Sequence, residues 1–143
     1  MSALYTVEEI RKIVERDEGQ FLEFKSLWDL SADPPRVLDR REVRDFIAEQ
    51  VAAFANADGG TLVLGVSDDG EITGHGYPEE AVREFFAVPE RRLRPAVRVE
   101  CQAAEVEGRA VLLISVPNHP EAVMVDGDGF PYRVGDRVVK EPQ

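Results

Sequence analysis

The feature that most constrains the fold is a helical pattern that leads through a glycine pair into a short apolar strand. Between Arg41 and Ala55, core-facing positions recur at steps of three and four, the spacing of an amphipathic helix. Gly59-Gly60 follows, and glycine readily adopts the positive φ that a helix exit requires. The next residues, TLVLGV, resemble a central strand buried on both faces. The sequence therefore predicts a helix packed on a buried strand. The recurring helical positions are Val43, Phe46, Ile47, Gln50, Val51 and Phe54.

A second strand is predicted at residues 20–27, where side chains alternate between two faces. The apolar face is expected to enter the core, and the other face carries a carboxylate and an ammonium group. The residues of the overlapping segment SLWDLSADPPRVLD, 26–39, contain Pro34-Pro35 and show no clear period. They predict a long loop, which is a candidate functional loop or lid. The two faces of the strand are Leu22, Phe24 and Ser26 on one side and Phe21, Glu23 and Lys25 on the other.

Helix and turn signals define most other elements. Thr6-Val7-Glu8-Glu9 has capping-box spacing, which predicts a short helix to about Arg16. A second short helix is predicted from Pro78 to Val88, ended by Pro89. Before it, Ser67-Asp68-Asp69-Gly70 predicts a turn into a return strand, EITG.

The C-terminal part of the sequence is rich in strand patterns. Glu107-Gly108 separates two strand-like segments and predicts a hairpin. EAVMV and FPYRV follow, separated by an Asp-Gly-Asp-Gly turn at 126–129. The order of elements predicts an α+β domain with a mixed, mainly antiparallel sheet flanked by about three helices. The length of 143 residues is that of one domain, residues 1–143.

Composition limits the classes of partner and compartment. There is no signal-peptide pattern and no apolar run of membrane-spanning length. The one cysteine, Cys101, cannot form an internal disulfide, which favours a reduced, intracellular, cytoplasmic protein. No Gly-Lys-Ser/Thr motif follows a glycine-rich loop, so no nucleotide cofactor is expected.

Arginines form two local clusters in a chain whose net charge is −11. The overall charge disfavours a simple nucleic-acid coat protein, but local arginine clusters can bind phosphate. Codon bias explains the arginines equally well. The candidates for nucleic-acid binding are Arg40, Arg41 and Arg44 in the first cluster, Arg91, Arg92 and Arg94 in the second, and Arg133.

A group of carboxylates is the strongest candidate for chemistry. Glu18 precedes the first strand, Glu23 lies on it, and Asp68 follows the central strand. If the two strands are neighbours, the three carboxylates converge, and a hard divalent cation such as Mg²⁺ or Mn²⁺ would relieve their repulsion. Lys25 shares the face of Glu23, and Glu-x-Lys on a strand beside a distal acid occurs in many metal-dependent nucleases. The alternative is that these acids are solvated by chance in an acidic chain and that 68–70 is an ordinary turn.

Three blocks together resemble the Schlafen-type, Alba-like domain (Schlafen AlbA_2). They are EGQFLEFKSLW at 18–28, FANADGGTLVLGVSDDGEITGHG at 54–76, and NHPEAVMVDGDGFPYRVGDRVV at 118–139. The blocks occur in the family's order and extend over nearly the whole chain. The middle block, with its glycines and Gly65-Val66, is the most specific.

The resemblance implies a function and a ligand set. Some family members are RNA endonucleases that cleave transfer RNA and ribosomal RNA with a divalent metal held by two glutamates and an aspartate. The glutamates correspond to Glu18 and Glu23. Ser67 stands where the family often has aspartate, so Asp68 is the first choice for the third ligand and Asp69 the second. The two-lobed cradle of larger members implies that a single lobe would form a homodimer.

These observations lead to three hypotheses. The first is a metal-dependent endoribonuclease acting on structured RNA such as transfer RNA, in which Glu18, Glu23 and Asp68 hold Mg²⁺ or Mn²⁺ and Lys25 orients water or phosphate. RNA is preferred over DNA as the partner. The second is a non-catalytic DNA- or RNA-binding module of a transcriptional regulator. The third is a protein-interaction domain, in which the arginines pair with surface acids.

Overall fold

The computed structural model describes residues 5–126 and 129–141. Over these residues the chain forms an α+β fold with a mixed, mainly antiparallel sheet, which confirms the predicted fold class. The helices are α1 (Val7–Val14), α2 (Arg40–Asn56) and α3 (Glu79–Arg92). The strands are β1 (Leu22–Lys25), β2 (Trp28–Asp29), β3 (Arg36–Val37), β4 (Gly60–Leu64), β5 (Leu93–Arg94), β6 (Glu100–Val106), β7 (Arg109–Val116), β8 (Met124–Val125), β9 (Phe130–Val134) and β10 (Arg137–Glu141).

The main sheet has four strands in the order β1-β4-β7-β6. β1 is an edge strand and runs parallel to β4, with Leu22 opposite Thr61 and Lys25 opposite Leu64. β4 and β6 both pair with β7 in antiparallel orientation. The prediction that the apolar TLVLGV segment forms a central strand is therefore confirmed, and the first strand is its neighbour, as the convergence of the carboxylates requires. β1 and β4 are joined through α2, as a parallel pair requires a crossover connection.

Two apolar clusters cover the two faces of the sheet. One contains α2 and α3 and includes Phe54, Leu62 and Ile114. The other contains α1 and includes Phe24 and Val63. Since Phe24 belongs to the α1 side, alternation along β1 places Glu23 and Lys25 on the α2 side of the sheet. The strand prediction for residues 20–27 is confirmed in its alternation, although the strand itself has only four residues.

The connection from α2 to β4 explains the glycine pair. Gly59 has φ +80°, and a Cβ atom there would lie 2.7 Å from the carbonyl oxygen of Val116. A side chain at this position would be strained by the backbone conformation and by the contact. The hairpin prediction is also confirmed, because Glu107 and Gly108 both have positive φ between β6 and β7.

The predicted end of the third helix is wrong, because α3 continues through Pro89 to Arg92. Proline removes one helical hydrogen bond, but Val88 and Pro89 are buried in the core. Arg92 also forms ion pairs at 2.7 Å with both Asp45 and Asp126. Core packing and these pairs hold the last turn in place.

The capping box of α1 is confirmed, with Glu9 N donating to Thr6 Oγ1 at 3.1 Å.

Two segments differ from the pattern in the sequence. The EITG segment forms no return strand, and only an isolated bridge joins Val66 to Ile72. The predicted loop at 26–39 contains the short antiparallel pair of β2 and β3. In both places only one or two residues form backbone pairs with another segment. Such short pairings leave no periodic pattern in the sequence from which they could be predicted. Gly127 and Asp128 of the predicted Asp-Gly turn lie outside the described residues.

Candidate functional site

Glu18 lies beside the free edge of β1. The Phe21 and Lys25 carbonyls accept hydrogen bonds from the β4 side, so alternation directs the Phe24 N–H away from β4. This N–H donates to Glu18 Oε2 at 2.7 Å. The hydrogen bond occupies an edge N–H that would otherwise be open to another strand.

Glu23 forms an ion pair with a buried arginine. Arg133 Nη2 lies 2.9 Å from Glu23 Oε1, and the side chains are 0% and 13% exposed, respectively. β9, which carries Arg133, packs against α2, so the guanidinium lies between the sheet and the helix. Removing the guanidinium would leave Glu23 largely desolvated without its partner, which is a costly arrangement.

Arg133 is a structural residue, and its predicted role in gripping a nucleic-acid backbone does not fit its position. Its guanidinium donates to the carbonyls of Gly19 and Leu22 and to Gln50 Oε1. It also lies over the Phe54 ring, with 4.4 Å from Cζ to the ring centroid. Because the Arg133 side chain is fully buried and all three of its nitrogen atoms donate inside the protein, it cannot reach a phosphate at the surface.

The pKa of Glu18 is raised to about 7. Burial is the largest cause, since it disfavours the charged form, and the hydrogen bond from Phe24 N opposes it. The charge of Glu23, a hydrogen bond between the two carboxyls and the charge of Asp68 raise the pKa further. The structure therefore brings Glu18 and Glu23 into contact and places Asp68 within electrostatic range. A carboxyl with this pKa exchanges a proton readily at neutral pH.

The two aspartates of the turn after β4 have different roles. Asp69 Oδ1 accepts hydrogen bonds from Ser67 Oγ and, at 3.1 Å, from Glu71 N, and these bonds lower its pKa. Asp69 therefore fixes the turn. Asp68 is exposed and has no hydrogen bond with the described residues. Of the two, Asp68 is the carboxylate that acts on Glu18.

Lys25 borders an open cleft of about 600 Å³ on the α2 side of β1. Its Nζ lies 5.0 Å from the centroid of the Phe46 ring, a cation–π contact that holds the ammonium over α2. Asp68 lines the same cleft. The two residues therefore share one solvent-accessible space at the end of β1, as the sequence suggested for Lys25 and a distal acid.

The carboxylates do not form a preassembled metal centre. Within residues 5–126 and 129–141, no three His, Cys, Asp or Glu side chains are grouped so that they could hold an ion. The donor chemistry nevertheless fits Mg²⁺ or Mn²⁺, since it consists of carboxylate oxygens. The crowding of negative charge that raises the Glu18 pKa is also what a cation would relieve. The metal site stays a prediction that requires Asp68 to turn toward Glu18.

Three of the six surface arginines predicted to bind nucleic acid are paired with acids. Arg40 pairs with Glu80 at 3.6 Å and Arg44 pairs with Glu84 at 2.5 Å. Arg92 pairs with two aspartates, as described above. Of the arginines predicted to bind nucleic acid, Arg41, Arg91 and Arg94 are exposed and form no ion pair with a described residue. Whether any of the surface arginines binds nucleic acid stays a prediction.

Sequence reasoning missed the polar network around Arg133. Gln50 is buried on α2 and accepts from Arg133 Nη1 at 3.0 Å. Asn56 holds the C-terminal segment, with Nδ2 donating to the carbonyls of Val123 and Pro131 at 2.8 and 2.7 Å. The available signal was a glutamine at an otherwise apolar helical position, because a buried amide requires a partner.

No curated protein matches the chain. The crystal structure of the DIP2311 protein from Corynebacterium diphtheriae is similar, with 25% identity and a TM-score of 0.66; the match covers 94% of this chain and 30% of that one. This chain thus spans less than a third of that protein's length. The N-terminal domain of a putative ATP-dependent DNA helicase RecG-related protein from Nitrosomonas europaea has the same fold, with 24% identity, a TM-score of 0.59 and coverage of 98% and 93%.

No helix within the described residues has the length and apolar content needed to cross a membrane.

The Schlafen, AlbA_2 family model matches residues 18–142. The match begins at the first glutamate of the carboxylate group and continues through the C-terminal strands. The chain therefore belongs to the Schlafen AlbA_2 family.

Proposed function

We propose that this chain is a nucleic-acid-processing domain that acts as a divalent-metal-dependent endoribonuclease on structured RNA such as transfer RNA. The observation that carries the proposal is the contact of Glu18 with Glu23, together with the influence of Asp68 on the Glu18 pKa of about 7. Strongly shifted carboxyls that face one another are typical of catalytic sites. Family membership and the helicase-related name of one structural neighbour support a nucleic-acid substrate.

The proposed roles follow from the positions of the side chains. Because its pKa is about 7, the Glu18 carboxyl can either donate or accept a proton near neutral pH. Glu23 is oriented by Arg133, which fixes one carboxylate oxygen. Lys25 is positioned at the cleft to contact a phosphate oxygen and to stabilise negative charge that develops there.

Glu18, Glu23 and Asp68 would hold the metal. When bound, Mg²⁺ or Mn²⁺ would act as a Lewis acid on a phosphoryl oxygen and lower the pKa of a bound water. The three carboxylates would balance the charge of the ion, and the proton on Glu18 would be lost when the ion binds, since ligands must be deprotonated. RNA as the substrate, and assembly into a homodimer, are parts of the proposal.

The test is cleavage of a transfer RNA pool with Mn²⁺, with and without EDTA. Glu18→Gln keeps an oxygen that can accept from Phe24 N but removes the charge, and we expect cleavage to fall by about 100-fold or more. Glu15→Gln is the matched control, because it removes one exposed carboxylate three positions away. Equal cleavage by both variants, or cleavage that persists in EDTA, would contradict the proposal.

A non-catalytic nucleic-acid-binding module is the second candidate. It is favoured by the Glu23–Arg133 ion pair, which gives Glu23 a structural role. This candidate predicts salt-sensitive binding of DNA or RNA that Glu18→Gln leaves unchanged, with no cleavage by the wild type. Cleavage by the wild type would exclude it.

A further inference from the structure

Phe21 is an aromatic residue exposed next to the carboxylate group. It is 59% exposed, more than any other large apolar residue among those described. Its backbone is nevertheless fixed, since its carbonyl accepts from Thr61 N at 2.9 Å. Leaving a phenylalanine largely exposed forgoes much of the stabilisation that its burial would supply. An anchored, exposed ring of this kind offers a flat apolar surface for a ligand.

The ring borders a cleft of about 500 Å³ between α1 and the start of β1, a volume in the range of small-ligand sites. Lys12 on α1 and Arg16, which follows the end of α1, both line the α1 side of the cleft. Neither forms an ion pair within the described part of the chain. Glu9 and Asp17 also line the cleft, but the Glu9 carboxylate is bound to Thr6 N at 2.8 Å.

The cleft adjoins the proposed site through the chain itself. Asp17 and Gly19 both line it, and Glu18 lies between them. Phe21 comes two residues before Glu23 on the same segment. A ligand stacked on Phe21 would therefore have its backbone near the loop that carries Glu18.

We propose that this cleft binds one unpaired nucleotide of an RNA, with the base stacked on Phe21 and the phosphate held by Lys12 and Arg16. Aromatic stacking accepts any base, and an ammonium and a guanidinium suit a phosphate. The substrate of the proposed nuclease would then be RNA with a single-stranded or extruded nucleotide beside the cleaved bond. The inference rests on the proposed function for the identity of the ligand.

The test measures binding of a short single-stranded RNA that contains 2-aminopurine to the full chain carrying Glu18→Gln, which prevents cleavage. We expect 2-aminopurine emission to change on binding, as it does when the base stacks. Phe21→Ala should weaken binding by about 5-fold or more, whereas Phe21→Trp should retain it. Arg16→Gln should weaken binding and reduce its salt dependence.

Tyr132→Ala is the matched control, since Tyr132 is an exposed aromatic (44%) that does not line this cleft. Unchanged binding by Phe21→Ala, or an equal loss in Tyr132→Ala, would overturn the inference. The outcome is separable from that of the cleavage assay: stacking without cleavage in the wild type contradicts only the nuclease, and cleavage without stacking contradicts only the cleft.

Discussion

The carboxylates at the edge of β1 and the arginines along α2 and α3 are both charged clusters in the sequence, but the fold uses them differently. Glu18 and Glu23 meet, and burial, reinforced by the charge of Glu23, raises the pKa of Glu18. Arg40, Arg44 and Arg92 instead each meet an acid. Two partly buried carboxyls that the fold holds in contact indicate a site, whereas surface charges that alternate in sign indicate ordinary solvation.

The largest expected effect separates two kinds of arginine. Arg133→Met should lower the free energy of unfolding by about 3–5 kcal/mol, because Glu23 would lose its buried partner. Arg91→Met, which removes an exposed arginine, should change it by less than about 0.5 kcal/mol. Chemical denaturation of both variants measures the difference. Similar small losses in both would show that the Arg133 network does not hold β9 to α2.

The two aspartates of the turn give the next contrast. Asp69→Ala should destabilise the protein measurably, since it removes the acceptor for Ser67 Oγ and Glu71 N. Asp68→Ala should leave stability within about 0.5 kcal/mol but reduce cleavage. Thermal unfolding measures the stability of the two variants, and the cleavage assay measures their activity. If Asp69→Ala abolished cleavage in a stable protein, the assignment of the third carboxylate would be wrong.

The pH dependence of stability tests Glu18 itself. Its folded pKa of about 7 lies above the ordinary 4.5, so folding favours the protonated form, and this contribution is lost as the pH rises through 7. At pH 8, Glu18→Gln should be more stable than the wild type by about 1 kcal/mol, after allowance for solvent screening at this half-buried group. Below pH 4.5 the advantage should vanish. Denaturation at both pH values measures it, and an advantage independent of pH would contradict the assigned cause.

The smallest effect concerns the surface ion pairs. Arg44→Gln should cost about 0.3 kcal/mol, because its pair with Glu84 is partly solvated. Arg41→Gln should cost nothing measurable but should reduce the salt dependence of RNA binding. Stability and binding titrations at several salt concentrations compare the two. A larger binding defect in Arg44→Gln would place the RNA on the paired arginines instead.

The sequence was most informative where one structural period extended over many residues. The pattern of α2 and the apolar run of β4 predicted a helix on a central strand, and alternation correctly placed Glu23 and Lys25 on one face. Glu107-Gly108 correctly predicted a hairpin, and both residues adopt the positive φ that its tight turn requires. Local patterns of this kind depend on neighbouring residues alone.

Contacts between distant residues could not be predicted in this way. Arg133 resembled a surface cation, and only the packing of β9 on α2 reveals that it is buried beside Glu23. Pro89 was predicted to end its helix. The helix continues because Val88 is buried and Arg92 forms ion pairs, and both are tertiary contacts that the local sequence does not show. The sequence also left Asp68 and Asp69 as alternatives, since the hydrogen bonds that fix Asp69 depend on the conformation of the turn.

The most direct test of the account is a carboxyl ¹³C NMR titration of Glu18. We expect the pKa of Glu18 to be about 7 in the wild type. It should be lower in Asp68→Asn, because one negative charge is removed, and unchanged in Asp69→Asn. Addition of Mn²⁺ would broaden the signal, so Mg²⁺ is used to detect the loss of the proton on metal binding. A Glu18 pKa near 4.5 that is insensitive to Asp68 would contradict the convergence of these carboxylates.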